Sequence, residues 1–278
     1  MKFLITGAKG FIGSHLKTAL LNPDNEIYCF EEQDALSPRY KQKLLRVVKK
    51  VDLIYHIGAV SSTDASDINK TMFLNYEFSK TLFDLAAEYK VPIVYASSAA
   101  IYGDGDNIPK NLYAWTKKAA EDYGLLKVQQ FISLRFHNVF GEDEASGMRK
   151  GKMASVAFQA WNDKKVYEQN FRLFKGRPTR DFVYIKDVVG ACEYVSYQIG
   201  LKQTPQSGAY DVGTGESRPF EDVLDLMNVE YCYTNSEVPP WYQFHTQADK
   251  KKFLTFWKPH YTLEEGIQDY LECLKNEK

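Results

Sequence analysis

A tyrosine and a lysine four residues apart could form an acid/base pair in this chain of 278 residues. On a helix, side chains at this spacing lie on one face, and the lysine ammonium favours the phenolate form of the tyrosine. Lowering a tyrosine pKa from about 10 to near 7 takes about 4 kcal/mol. A nearby ammonium and one further positive charge can supply that energy. Such a pair would exchange a proton with a substrate hydroxyl.

With 19 tyrosines in the chain, the Tyr-x-x-x-Lys spacing also occurs by chance. The position of each pair in the predicted fold must therefore identify the catalytic one. Only the pair at 113 and 117 starts the helix that follows the fourth predicted strand, at 93–96, and the Ser97-Ser98 segment after it. Active sites of open parallel sheets lie at the carboxyl ends of the strands. We therefore expect Tyr113 and Ser98 to meet at one substrate carbon, and the other two pairs to be helix-surface residues. The three pairs are Tyr76/Lys80, Tyr113/Lys117 and Tyr123/Lys127.

A glycine-rich turn follows the first predicted strand and opens the first predicted helix. Its GxxGxxG pattern places Gly7, Gly10 and Gly13 around Phe11 and Ile12. Glycines at such a turn allow a tight bend, a close approach of the backbone to a pyrophosphate, and close packing of helix on strand. The helix N-terminus adds unpaired N–H groups and a partial positive charge. The turn predicts a dinucleotide cofactor.

Two acidic residues, Glu31 and Glu32, follow the second predicted strand, with Glu31 eighteen residues after Gly13. A carboxylate at this position accepts a hydrogen bond from a ribose 2′-hydroxyl. It repels a 2′-phosphate by about 4 kcal/mol at a separation of about 4 Å and an effective dielectric near 20. The two residues predict NAD as the cofactor and disfavour NADP.

Strand and helix patterns alternate over the first 140 residues, which predicts an α/β fold with a Rossmann-type doubly wound parallel sheet. We assign residues 1–140 to a dinucleotide-binding domain, to which 181–214 return. Further strands of the first sheet are expected at 182–185 and 209–212, with a helix between them. Residues 141–180 and 215–278 are expected to form a smaller, interwoven C-terminal lobe that binds the substrate.

The composition excludes several classes of protein. The net charge is −1, so no overall basic field would attract nucleic acid. No apolar run approaches the roughly 20 residues of a membrane helix, and the N-terminus has no secretory signal pattern. The four cysteines form no C-x-x-C pair and are expected to be reduced thiols. We therefore expect a cytoplasmic protein with no nucleic-acid or membrane partner.

Motifs along nearly the whole chain resemble the extended short-chain dehydrogenase/reductase family, the NAD-dependent epimerases and dehydratases. Several of them resemble more narrowly the ADP-glyceromanno-heptose 6-epimerases of that family. The resemblance implies a nucleotide-sugar epimerase with tightly bound NAD, which oxidises and re-reduces C6 of the heptose and needs an acid/base group on each face of that carbon. The family motifs lie at 7–13, 56–59, 97–99, 113–117, 135–141, 180–184 and 211–215, and the narrower ones at 56–63, 95–103, 150–158 and 242–249.

The resemblance implies roles for individual residues. Tyr113, Lys117 and Ser98 match the catalytic groups, and Lys150 matches the second acid/base, with Lys152 as a rival. Further matches place Ala59 and Asn75 with the cofactor-binding residues, although Asn75 is also expected to support the sheet edge with His56. The implied substrate-binding residues are Ser97, Ser98, Asn138, Lys150, Met153, Arg180 and Tyr242.

Other functions remain open from the sequence. The chain could be an epimerase or dehydratase for a different nucleotide sugar, although Ala99 and Ala100 follow Ser98 where a dehydratase needs an acid. It could instead be a non-catalytic dinucleotide sensor, although Tyr113, Lys117 and Ser98 are all present. The resemblance also implies a homo-oligomer that binds a nucleotide-diphosphate sugar.

Overall fold

A six-stranded parallel sheet forms the centre of the fold. The computed structural model describes residues 1–61, 67–144, 155–166, 169–235 and 242–276. Largely apolar segments of four to six residues give its strands, as expected for a sheet covered on both faces. In spatial order the strands are β2 (Glu26–Phe30), β1 (Lys2–Thr6), β3 (Leu53–His56), β4 (Ile93–Ser98), β5 (Phe131–Phe136) and β9 (Gly208–Val212).

Helices cover both faces of this sheet, so the predicted doubly wound α/β class is confirmed. A π-helical segment, Phe73–Glu77, joins α4 to α5. Within the described ranges, no helix is long and apolar enough to cross a membrane. The helices are α1 (Phe11–Ala19), α2 (Glu32–Ala35), α3 (Tyr40–Val48), α4 (Ile68–Met72), α5 (Phe78–Tyr89), α6 (Leu112–Lys127), α7 (Val156–Val166), α8 (Ile185–Gly200), α9 (Phe220–Leu226) and α10 (Leu263–Asn276).

Each face of the central sheet buries its own apolar cluster. Leu16 of α1 and Val188 of α8 belong to one cluster, in which side chains of the smaller lobe also pack. Leu44 of α3 and Leu82 of α5 belong to the other cluster, together with Ala120 of α6. All five side chains are almost or completely buried. Because α6 packs on this sheet, its N-terminal turn has a fixed position relative to the end of β4.

The strand order reverses at β1, since β2 lies on one side of it and β3 on the other. Ligands of open α/β sheets bind at such a switch point, beyond the carboxyl ends of the strands. The turns after β1 and β3 touch there: a Cβ built on Gly7, whose φ is +67°, would lie 2.6 Å from the Cα of Gly58. A side chain at position 7 would therefore force the two turns apart.

Among the described residues, two short sheets lie apart from the central sheet, and one of them corrects an expectation. The strand expected at 182–185 forms as β8 (Thr179–Tyr184), but it pairs with β6 and β10 rather than with the first sheet. The chain leaves the central sheet at His137, directly after β5, so that β6 lies outside that sheet. β8 pairs with β6 and therefore also lies outside it. The remaining strands are β6 (Asn138–Phe140), β7 (Phe171–Phe174), β10 (Ser217–Pro219) and β11 (Tyr231–Thr234).

His56, the last residue of β3, connects two elements below the switch point. Its Nδ1 lies 2.7 Å from Thr6 Oγ1 and its Nε2 lies 2.7 Å from Ser79 Oγ. Burial, and to a smaller extent the charge of Lys117, lowers the pKa of His56 to about 3. The imidazole is therefore neutral in the folded chain at neutral pH, which suits its structural position.

This buried imidazole makes the folded state sensitive to acid. Between pH 6.5 and pH 3 the unfolded chain binds a proton at His56 that the folded chain does not, so stability falls as the pH falls through that window. We expect the free energy of unfolding to decrease by about 2 kcal/mol between pH 7 and pH 5 because of His56 alone. Urea titrations of the wild type and His56→Gln at both values measure it. An equal loss in the two proteins would contradict this assignment.

Candidate active site

One continuous cleft of about 980 Å³ runs across the carboxyl ends of β1, β3, β4 and β5 and into the smaller lobe. Its walls include the glycine turn after β1, Glu31 at the end of β2, Ser98 at the end of β4 and the first turn of α6. Its far end is formed by β7, β8 and the segment at 242–243. The cleft therefore brings the predicted cofactor and substrate residues into one space.

The glycine turn has the shape of a dinucleotide cradle. A Cβ on Gly13 would lie 2.1 Å from the carbonyl oxygen of Gly7, so only glycine allows α1 to start this close to the turn. Gly10 caps α1, and Ser14 N donates to its carbonyl oxygen at 2.8 Å. The first turn of α1 holds no acidic residue, so its N-terminal dipole is available to an anion. Gly7, Gly10, Phe11, Ile12 and Gly13 all line the cleft.

Glu31 presents a carboxylate oxygen to the cofactor end of the cleft. The backbone N–H of Glu31 donates to Asp34 Oδ2 at 3.1 Å, which holds Glu31 at the start of α2. Its Oε1 is buried and has no hydrogen-bond partner among the described residues. A buried carboxylate oxygen requires a donor, and a ribose hydroxyl would provide one. Glu32 also lines the cleft, but it pairs with Lys70 at 2.6 Å.

The first turns of α6 carry Tyr113 and Lys117 into the middle of the cleft. The side chain of Asn111 caps this helix by accepting from Ala114 N at 2.9 Å. Lys117 is 2% exposed, and its Nζ lies 4.1 Å from the centre of the Tyr95 ring. Burial lowers the pKa of Lys117 to about 7, although the charge of Glu121 opposes this effect. The amine can therefore change its charge near neutral pH.

Ser98 ends β4 opposite the helix that carries Tyr113. Its Oγ accepts from Ala100 N at 3.2 Å, which fixes the hydroxyl at the edge of the cleft. The Ser98 hydroxyl accepts a hydrogen bond from Ala100 N through its oxygen. Its hydrogen therefore remains available to donate to an oxygen atom of a bound substrate. Ser97 lines the cleft beside it and is buried.

Arg180 of β8 supplies a buried cation at the far end of the cleft. Its guanidinium lies 5.4 Å from the Phe220 ring and 5.2 Å from the Tyr242 ring, and it donates to the carbonyl oxygens of Thr179 and Gln243. It is 7% exposed, and burial lowers its pKa. Within the described ranges no carboxylate oxygen lies within ion-pair distance of it, although the charge of Asp104 acts on it from farther away and opposes the effect of burial on its pKa. The site is therefore suited to an anion.

The remaining predicted residues divide into three groups. Asn138, the first residue of β6, and Ala59 line the cleft. Asn75 lies behind the wall, where its side chain bonds to the backbone of Val60 and to Thr116 Oγ1 at 2.7–3.1 Å. Its place is thus one of support. Lys150, Lys152 and Met153 lie outside the described residues.

A buried network next to the site is absent from the sequence predictions. Glu121 on α6 pairs with Arg135 on β5, which donates to Tyr102, which in turn donates to Asp211. The i,i+4 spacing of Glu121 from Lys117 was the one signal available in the sequence. Gln159 of α7 also lines the cleft without a motif to identify it.

Comparisons with known proteins agree on the family. The sequence model of the NAD dependent epimerase/dehydratase family matches residues 3–213. A Brachyspira hyodysenteriae protein named ADP-L-glycero-D-manno-heptose-6-epimerase is 30% identical, with 98% of this chain and 97% of that protein aligned.

Solved structures of epimerases have a similar fold. The Helicobacter pylori ADP-L-glycero-D-manno-heptose-6-epimerase matches with a TM-score of 0.82 at 26% identity, over 99% of this chain and 96% of that one. The Thermus thermophilus UDP-glucose 4-epimerase in complex with NAD matches with a TM-score of 0.79 over all of both chains. At 23% identity the second match supports the fold alone.

Proposed function

The chain belongs to the NAD dependent epimerase/dehydratase family, and we propose that it is an NAD-dependent epimerase acting on C6 of an ADP-glycero-manno-heptose. The single observation that carries the proposal is the continuous cleft, in which Glu31 and the glycine turn lie at one end, Tyr113 and Ser98 in the middle, and Arg180 at the other. A cleft of this kind holds a dinucleotide and a nucleotide sugar end to end.

The described residues fit NAD in shape and in chemistry. Gly7 and Gly13 leave space that a Cβ would fill, the start of α1 suits a pyrophosphate, and Glu31 Oε1 lacks a donor. When bound, NAD would accept a hydride from the substrate carbinol carbon and return it. The chain itself would hold the dinucleotide through this turn and exclude water from the carbon.

Tyr113 and Lys117 would handle the proton of the carbinol hydroxyl. The Tyr113 phenolate would accept that proton while Ser98 donates a hydrogen bond to the same oxygen. Lys117 would favour the phenolate by its positive charge. In an epimerase, the hydroxyl proton leaves on one face of the sugar carbon and is returned on the opposite face. A second acid/base group is therefore required on that opposite face. We propose Lys150 for that role, with Lys152 as its rival and Met153 beside them.

The substrate diphosphate would occupy the far end of the cleft. The Arg180 guanidinium is held in place by two backbone carbonyls and two rings, so its fork of donors is already oriented for a diphosphate. Asn138, Ser97 and Tyr242 would surround the diphosphate and the sugar. Residues 141–180 and 215–278 would thus form the substrate lobe and 1–140 the cofactor domain.

Conversion of ADP-D-glycero-D-manno-heptose into its C6 epimer tests the substrate assignment. Proton NMR of the sugar follows the C6 signal during incubation with the purified protein, and we expect an equilibrium mixture of the two epimers. UDP-glucose and GDP-mannose serve as parallel substrates. Turnover of either one, without any change in the heptose, would overturn the proposed substrate.

Cofactor preference tests the role of Glu31. We expect the wild type to bind NAD at least about tenfold more tightly than NADP, because the carboxylate repels a 2′-phosphate. Glu31→Gln keeps the size of the side chain and removes its charge, so NADP binding should strengthen about tenfold or more. Isothermal titration of the cofactor-free proteins measures both affinities.

Glu32→Gln is the matched control for this test. The Glu32 side chain is 53% exposed and already pairs with Lys70, so its charge should affect NADP binding much less. Equal binding of NAD and NADP by the wild type would contradict the role of Glu31.

A further inference from the structure

Glu121 lies one helical turn beyond Lys117 on α6, and both side chains are buried. Residues four apart on a helix are neighbours. Their charges interact inside the protein, where screening by water is weak. This carboxylate favours the charged form of Lys117, whereas burial of the amine opposes it. Glu121 does not line the cleft, yet its charge can therefore influence whether Lys117 is protonated.

Arg135 on β5 holds Glu121 by hydrogen bonds to both carboxylate oxygens. Its Nη2 lies 2.6 Å from Glu121 Oε1 and its Nε lies 3.1 Å from Oε2, while Ser133 Oγ donates to Oε2 at 2.6 Å. Burial raises the pKa of Glu121, but the bonds from Arg135 and Ser133 outweigh burial and keep that pKa below its ordinary value. Glu121 is thus ionised, and Arg135 offsets part of its charge.

The position of Arg135 is fixed by further contacts. Its Nη1 donates to the Tyr102 hydroxyl at 2.7 Å, and that hydroxyl donates to Asp211 Oδ1 at 2.6 Å. Asp211 Oδ2 in turn accepts from Asp249 N at 2.9 Å. Tyr102 ends the short helical turn that follows Ser98. The guanidinium therefore cannot leave Glu121 without breaking its hydrogen bond to Tyr102, which joins β5 to the turn after β4 and, through Asp211, to β9.

We propose that Glu121 and Arg135 are positioning residues that act through Lys117: Glu121 favours its ammonium form, and Arg135 limits how strongly it does so. The proposal rests on the proposed function only in assuming that Tyr113 and Lys117 are the acid/base pair. The balance depends on every group packed around Lys117. Among the described residues these are Glu121 on α6, the ring of Tyr95 on β4 and His56 on β3. Tyr113 lies one helical turn before Lys117, and Arg135 and Ser97 act on Glu121.

A direct titration of Lys117 separates this role from a purely structural one. Lysine labelled with ¹³C at Cε is incorporated into the NAD-bound enzyme, and the Lys117 signal is assigned by its loss in Lys117→Met. We expect Glu121→Gln to lower the titration midpoint by about one pH unit or more, and Arg135→Met to raise it. A loss of packing alone would not move the two midpoints in opposite directions.

Two further variants keep the test decisive. Asp122→Asn removes a half-exposed carboxylate of the same helix that pairs with Lys118, and should leave the midpoint within about 0.3 pH units of the wild type. If one single variant does not fold, Glu121→Gln/Arg135→Met is compared with the other. The midpoint of the double variant should lie above that of Glu121→Gln, or below that of Arg135→Met, whichever single variant is folded. Midpoints that stay at the wild-type value, or that shift the same way in both single variants, would overturn the proposal.

The pH dependence of kcat gives a second measurement. Its alkaline limb should move in the same direction as the NMR midpoint in each variant, because the ammonium form supports the phenolate. An enzyme that turns over no ADP-heptose at all would contradict the proposed function, whereas the NMR midpoints would still decide the role of Glu121 and Arg135.

Discussion

Tyr113→Phe is expected to lower kcat by about 1000-fold or more while NAD stays bound. The substitution removes the one oxygen that accepts the carbinol proton, and general acid–base catalysis contributes rate factors of about 100 to 10,000. It leaves the glycine turn and Glu31 unchanged, so cofactor binding should persist. The rate is measured by NMR of the sugar, and bound NAD is measured by absorbance after denaturation.

Tyr123→Phe is the matched control, since Tyr123 is the tyrosine of another Tyr-x-x-x-Lys pair. Its hydroxyl donates to Asp84 at 2.6 Å on the outer side of α6, away from the cleft. We expect at most a twofold change in kcat, as for most surface positions. Wild-type turnover by Tyr113→Phe would remove Tyr113 from the reaction, and an equal loss in both variants would point to helix stability instead.

Gly13→Ala is expected to abolish retention of NAD and to weaken its binding by about 100-fold or more. The added methyl group would lie 2.1 Å from the Gly7 carbonyl oxygen and 2.9 Å from its carbon, so either α1 or the turn must move. Either movement misplaces the backbone N–H groups that face the pyrophosphate. Titration of NAD into cofactor-free protein gives the affinity.

Gly190→Ala controls for the general effect of adding a methyl group. Gly190 lies within α8, and a Cβ there meets no atom within 4 Å. Because alanine favours a helix over glycine, this variant should be slightly more stable and bind NAD normally. Tight NAD binding by Gly13→Ala would show that the turn does not hold the pyrophosphate.

The sequence predicts most of the cofactor half because local rules determine it. A glycine turn between a strand and a helix, an acidic residue at the end of the next strand, and alternating apolar segments each depend on neighbouring residues. The structure places Gly7, Glu31 and Tyr113 along one cleft as those rules imply. The assignment of Lys150, or its rival Lys152, as the second acid/base still rests on the family resemblance alone.

The sequence predicts less where distant segments pair. β8 ends in the apolar run Phe-Val-Tyr, which is typical of a buried strand, but nothing local shows that it pairs with β6 and not with the central sheet. The Glu121–Arg135 pair joins residues 14 apart, and the Tyr102–Asp211 bond joins residues 109 apart. Asn75 is expected from the sequence both among the cofactor residues and as a support of the sheet edge, and its amide bonds to Val60 and Thr116. Such contacts depend on the tertiary packing of complete elements.

The fate of the hydrogen on C6 distinguishes hydride return by a bound nicotinamide from exchange with solvent. ADP-D-glycero-D-manno-heptose labelled with deuterium at C6 is converted in ordinary water, and the product is examined by NMR and mass spectrometry. We expect the product to keep its deuterium at C6, because the hydride would move to the bound nicotinamide and back without exchanging with water. Replacement of the deuterium by solvent hydrogen during epimerisation would contradict this expectation.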